Sequence, residues 1–362
     1  MSLINRYIFK QLIMPFIFGL IIVTFSLMTN RFLMLTDMVL NKGISIISVI
    51  KLASFTIPDF MVITLPVSFL LAVLITFGKM TQDNEIIALK ASGIKVLTLT
   101  KPVLLFSLIP FFISLFFSFY MAPRFNYFFK ILAVKEVKKA ALSALKKNTF
   151  SNNFGNFKIF IRDIDLRKST IKGIFILNKF KNKPEALIAK SGSIVYNKKR
   201  NLISFYLKDG EIQNRNSSAK NFWLLHFDTY GINIKLNGFA FPNKDKSIHF
   251  MTIHRLFAKY TSAKTSGKKN IYLIYIFKKI AVPAATILFV FTGIPLGMLS
   301  EKRSLFLAIF YTIIIVIIYY ILFTSGLYLS IKSGFNPFLG VWGADIFLLI
   351  AGIFLYSKVF IK

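Results

Sequence analysis

Chemistry begins with side chains that can move a proton, attack a carbonyl or hold a metal, and this chain has few of them. Its 362 residues include 14 carboxylates, three histidines and no cysteine. Without cysteine there is no thiolate nucleophile, no disulfide and no sulfur-ligated metal. His226, His249 and His254 do not form a metal spacing such as H-E-x-x-H and read as ordinary surface or core histidines. No G-x-S-x-G segment or polar catalytic cluster stands out, so no catalytic residue and no metal ligand are assigned. The nearest thing to a nucleotide-binding loop is Ser266–Gly267–Lys268–Lys269. A G-x-x-x-x-G-K-[ST] loop would need Gly at Ser262 and Ser or Thr at Lys269, so this is not a phosphate cradle. No cofactor is expected on this chain, and any ATP and Mg belong to a partner subunit.

One segment does combine charge, capping residues and apolar contacts: Met80–Gly93, reading MTQDNEIIALKASG. Asp83 and Asn84 suit a helix start, and Asp83 and Glu85 favour its positive end. Ile86, Ile87, Leu89 and Ala91 supply apolar contacts, and Gly93 can end the helix in a left-handed conformation. The spacing predicts a short helix at about 80–93. It can pass motion from a docked ATPase into the membrane, or serve as an interfacial connector.

The elements around this helix follow from composition. Hydrophobic residues make up 55% of the chain, 42 residues are Phe, and mean hydropathy is +0.64, which makes lipid part of the solvent. A bilayer core about 30 Å thick needs about 20 apolar residues as a helix. Stretches meeting that need are Gln11–Asn30, Phe60–Gly78 (its helix starting near Ser48), Pro102–Pro123, Ile280–Ser300, Ser304–Ile331 and Pro337–Ser357. Only helices satisfy their own backbone there. Gln11–Asn30 is too long for a signal h-region and reads as an uncleaved first span.

Short-loop cations set the orientation. Lys79, Lys90, Lys95, Lys101, Lys302 and Arg303, with Arg6, Lys10, Lys358 and Lys362 at the ends, fall on one side when both termini are cytoplasmic. The opposite loops carry less: Arg31, Lys42, Lys51 and Lys332. Residues 124–279 then lie in the periplasm. They hold 32 basic and 8 acidic residues, +24 of the chain's +32. AT-rich codon drift and contact with phosphate both account for such an excess, and no nucleic-acid-reading motif accompanies it.

The insert opens with a Lys-studded helix over Arg124–Lys147. Period-two strands follow over Phe157–Arg162, Ile171–Asn178, Ala186–Tyr196, Leu202–Leu207 and Phe222–Ile234. Asn152–Asn153, Asn182–Lys183–Pro184, residues 197–201 and Lys208–Asp209–Gly210 are turn signals. A sandwich, a jelly roll and an open barrel all fit this pattern. Met251–Lys269 is helix-like again. The expected fold is an α-helical membrane protein with six transmembrane helices in a 3+3 arrangement and an inserted periplasmic β-jelly-roll-like domain. Its parts are 1–123 (three spans with the 80–93 helix), 124–279 (helical ends around strands at about 150–235) and 280–362 (three spans).

Several segments together resemble one family. They are RYIFKQ at Arg6–Gln11, LPVSFLLAVLITFGKMTQDNEIIALKASGI at Leu65–Ile94, MAPRFN at the exit of span three, LKDGEI at Leu207–Ile212, and KKIAVPAATILFVFTGIPLGMLSEKRS at Lys278–Ser304 with its IPLG turn. They are similar to the lipopolysaccharide-export permeases LptF and LptG, and the DNEIIALKASG form resembles LptF more closely. The resemblance covers the chain end to end and implies a subunit without its own ATPase site. It implies an LptF–LptG-like heterodimer, an LptB-like ATPase dimer docked on the loop helix, an LptC-like bitopic protein, an LptA-like bridge, and lipopolysaccharide as cargo. Spans one and five would line the gate. The family's loop-helix Glu falls on Glu85, and Asn84 stands where Ser is often found.

Three residues stand apart. Arg31, at the outer end of span one with Lys42 nearby, is placed to meet a lipid phosphate as a bidentate fork or to snorkel as an anchor. Asp345 is the one acid well inside a span; following Trp342, it is expected near a solvated edge, chiefly as a structural polar contact. A force-transducing permease and a lipid-modifying enzyme are the rival readings. The first normally divides its spans one and three, and the second lacks its catalytic cluster here.

Overall fold

The computed structural model describes residues 3–40, 44–143, 148–154, 157–165, 170–178, 185–197, 202–215, 222–235, 247–299 and 305–360. Lys42 lies outside them, as do Lys302 and Arg303. Six helices are long and apolar enough to cross a membrane, with an antiparallel sheet between the third and fourth, as the sequence pattern predicts. The chain divides into two compact units: Met1–Leu33, Ala53–Phe128 and Asn243–Lys362 in one, Met34–Leu52 and Phe129–Pro242 in the other.

In chain order, helices α1 (Leu3–Leu40), α2 (Ile46–Gln82), α3 (Glu85–Ala91) and α4 (Val96–Phe116) are followed by a π-helical turn (Phe117–Met121) and α5 (Ala122–Ser143), the first unit taking α1 up to Leu33, α2 from Ala53 and α5 up to Phe128. The turn has a local cause. In an α-helix the ring of Pro123 would clash with the carbonyl four residues back, on Phe119. Widening to an i→i+5 pattern relieves that clash, and Ala122 N–H then bonds Phe117 O. The same pattern would ask Pro123 to serve the Ser118 carbonyl, and proline has no N–H. Lys279 Nζ supplies the missing donor at 2.7 Å, while Ser118 Oγ donates to Lys279 O at 2.9 Å.

Helix α6 (Ile253–Ser262) precedes α7 (Ser266–Met298), α8 (Leu305–Lys332) and α9 (Pro337–Phe360). Span four therefore begins well before Ile280, and the expected IPLG turn, Ile294–Gly297, stays helical. Helices α2 and α7 form the centre: 72% and 67% of their most apolar windows are buried, against 17% for α1 and 22% for α8. Leu70, Val73 and Phe77 of α2 meet α7 where Gly293 and Gly297, four apart, bare its backbone. A Cβ on Gly297 would sit 2.8 Å from Phe77 Cβ. Gly326 of α8 and Gly340 of α9 likewise leave no room between them for a Cβ.

In the second unit, strands β1 (Thr149–Phe154), β2 (Phe157–Asp165), β3 (Thr170–Asn178), β4 (Glu185–Asn197), β5 (Leu202–Arg215) and β6 (Phe222–Lys235) form one antiparallel sheet in sequential order. The described strands thus make a simple meander. Ile159, Ile161, Ile174, Ile176, Leu187, Phe205 and Leu207 fill one face at the two-residue spacing of a pleat. Two expected turns prove to be strand. Asn152–Asn153 lies in β1, and Lys208–Asp209–Gly210 lies in β5, which runs on to Arg215. Asp209 takes a left-handed φ of 52°, and Gly210 lacks the Cβ that would strike Ile188 O and the Phe227 ring. The strand runs through without reversing, in one register with β4 and β6 on either side. At Gly173 (φ 61°) the alternation shifts by one, so that Ile171 and Ile174 both point inward.

Gly297→Val is expected to wedge α7 off α2 at a cost of about 1–3 kcal/mol. Gly267→Ala, where nothing lies within 4 Å, should instead be neutral or slightly stabilising. Thermal unfolding of both variants in one detergent checks the pair; equal melting temperatures would contradict the packing account.

Candidate functional site

The short helix α3 sits where span two ends. It is narrower than the expected 80–93, because Met80, Thr81 and Gln82 belong to α2. Asn84, at the N-cap position, is left-handed (φ 58°) and makes no side-chain cap bond, though its carbonyl accepts from Ala88 N–H at 3.0 Å. Asn is one of the few residues other than Gly that tolerate this conformation at a single position between two helices. The far end follows expectation. Gly93 (φ 80°) closes the helix with Gly93 N–H to Lys90 O at 3.0 Å and Ile94 N–H to Leu89 O at 3.1 Å, the paired bonds of a Schellman end.

Helix α3 has two faces. Ile86 is buried in the apolar core that also contains Ile8, Leu12, Met80 and Leu99, and Leu89 packs against that core. Ile86 and Leu89 therefore fasten α3 to the spans. Ile87, Ala88 and Ala91 point outward, and Ile87 is 62% exposed. Asp83, near the start of this outward face, is exposed as well.

Glu85 does not simply face solvent. Tyr7 of α1 donates its hydroxyl hydrogen to Glu85 Oε1 at 2.7 Å, and Gln11 Nε2 donates to the same Tyr7 oxygen. Thr76 Oγ1 of α2 donates to Gln11 O at 3.3 Å. The relay ties α1, α2 and α3 at one end of the bundle. Tyr7 and Gln11 escaped assignment because 78 residues separate Tyr7 from Glu85, and no local pattern brings them together.

The remaining assigned residues lie elsewhere. Arg31 is half-buried on α1, far from α3 in the span direction. Asp345 is not at a solvated edge: it is 2% exposed, and Oδ1 accepts from the buried Tyr319 hydroxyl at 3.4 Å. It lies on α9 and faces Tyr319 of α8, as polar groups in a bundle interior do.

The geometry defines a class: a polytopic membrane subunit whose two sets of three spans flank a sheet insert, with a loop helix keyed into the first span. The family of the lipopolysaccharide export system permeases LptF/LptG matches residues 6–358, and the chain belongs to it. That match does not separate LptF from LptG. A relative in Rickettsia prowazekii (strain Madrid E), the uncharacterized protein RP871, is 28% identical over 244 residues, covering 66% of this chain and 65% of its own length.

Tyr7→Phe removes the hydrogen bond to the Glu85 carboxylate and the one accepted from Gln11, together worth about 1 kcal/mol at this exposure. Amide hydrogen exchange over α3 is expected to quicken about fivefold while the α2 core stays protected. Unchanged exchange in α3 would show that Tyr7 does not hold it.

Proposed function

We propose that this chain is the non-catalytic permease half of an ATP-driven exporter that lifts lipopolysaccharide from the inner membrane toward a periplasmic protein bridge. The observation that carries the coupling step is the bond from Tyr7 to Glu85, which joins the loop helix directly to the first span. An LptB-like ATPase dimer docks on the outward face of α3, with Asp83, Glu85, Ile87 and Gly93 at its edges. Ile86 and Leu89 carry the push into the core. Because α3 is also bonded to α1, the same push tilts α1, one of the two least-buried spans. Helices α1 and α8 then present their apolar faces to a second, LptG-like or LptF-like permease, and the gate opens between them.

The short-loop cations support placing both termini, and α3, in the cytoplasm. The insert then faces the periplasm, with LptC-like and LptA-like proteins as its neighbours. ATP and Mg sit in the partner ATPase. Arg31, with Lys42 nearby, meets the phosphates of the cargo at the outer leaflet. The kinship of the DNEIIALKASG segment with LptF is part of this reading.

Glu85→Ala is expected to leave the fold intact while ATPase retention and lipid export both fall about tenfold, the loss of one charge-assisted contact. Normal retention and normal export would remove α3 as the coupling element. Arg31→Glu should reduce crosslinking to lipopolysaccharide from a photoreactive residue introduced beside it; undiminished crosslinking would remove Arg31 from the cargo path.

A further inference from the structure

At the opposite end of the bundle lies a cavity of about 340 Å³ that the export reading does not use. Asp59 on its wall is 23 residues before the end of α2, about 35 Å along the helix from the α3 turn. That is roughly one bilayer thickness, so the cavity opens at the level of the other headgroup layer. Its polar side is built by Asp59, Asn126, His249, Tyr275, Lys278 and Lys279. Its apolar side is built by Val62, Ile63, Phe323 and Leu327.

The charge balance of the polar side is positive. Asp59 Oδ1 accepts from Asn126 Nδ2 at 3.0 Å. Among the described residues no carboxylate comes within 4 Å of either lysine ammonium. Lys279 spends one donor on the Ser118 carbonyl and keeps others, while Lys278 is exposed at the rim. His249 lies against Tyr275, with Nε2 3.4 Å from the phenol oxygen. Partial burial first, then the field of Lys278, holds the His249 imidazole below its ordinary pKa; Asp59 opposes this and Lys279 adds to it. Two ammonium groups beside an apolar wall, at headgroup depth, suit an anion attached to an acyl chain.

We infer that this cavity holds the single phosphate of an anionic glycerophospholipid, with Lys278 and Lys279 on the phosphate and one chain along Val62, Ile63, Phe323 and Leu327. A cavity of about 340 Å³ matches one small headgroup with the start of a chain better than it matches an acylated disaccharide. The site is a resident-lipid site within one subunit, and it stands whether or not the chain exports lipopolysaccharide.

Native mass spectrometry of the full chain in mild detergent tests this, with phosphatidylglycerol, lipopolysaccharide and inorganic phosphate as the probes. One phosphatidylglycerol adduct is expected on the unaltered protein. It should fall about tenfold in Lys278→Gln and return in Lys278→Arg. Val62→Trp, which fills the apolar side, should lose the adduct with the lysines intact. Melting temperatures of the variants show that they are folded. An adduct unchanged in both Lys278→Gln and Val62→Trp overturns the assignment. Displacement by millimolar inorganic phosphate would make this a free-anion site, and a Lys278-dependent adduct formed only with lipopolysaccharide would make it a cargo subsite; either result overturns the resident lipid.

Discussion

A peptide group inside a bilayer has no water to bond, and that constraint organises the whole molecule. It turns every apolar stretch into a helix and makes every interruption of a helix visible. The interruption at Pro123 shows the consequence most clearly. Proline cannot donate, the helix widens by one residue, and the Ser118 carbonyl takes its bond from Lys279 on another span. A lysine at the membrane boundary is thereby fixed in place by a proline in a different segment. The same need holds Asp345 against Tyr319 in the bundle interior.

Packing divides the spans into two kinds. Helices α2 and α7 meet through Gly293 and Gly297 and are mostly buried, which suits a fixed frame. Helices α1 and α8 keep large apolar faces uncovered, Phe18 and Phe25 on one and Ile317 and Ile321 on the other. In a protein of this family such faces meet lipid or a second subunit. On the proposed reading α3 is the lever, because its buried side belongs to the frame and its Glu85 is bonded to the more exposed α1. The two polar clusters, at α3 and at Lys278–Lys279, stand about a bilayer apart along the helices.

Much of this was legible in the sequence, and the limits have physical causes. Span number, insert position and the Gly93 stop were readable because hydropathy and left-handed glycine are local signals. Most strand positions were readable from period-two alternation, but β1 was missed, its Asn152–Asn153 taken for a turn, and β5 was cut short: Lys208–Asp209–Gly210 has turn composition and only its cross-strand partners keep it in the strand. The start of α7 was misplaced because Lys278 and Lys279 look like loop residues until Ser118 and the cavity explain them. The burial of Asp345 depends on α8, and the bond between Tyr7 and Glu85 on a return of the chain after two spans; neither has a local signature. The family resemblance supplied Glu85 as a position of interest, while what Glu85 touches came from the fold.

The most direct test of the account is to purify the tagged full-length chain gently from its own membrane and identify by mass spectrometry what accompanies it. The account predicts a soluble ATPase together with a second protein of the same three-plus-three layout. A chain that purifies alone through several mild detergents would contradict an export complex driven through α3.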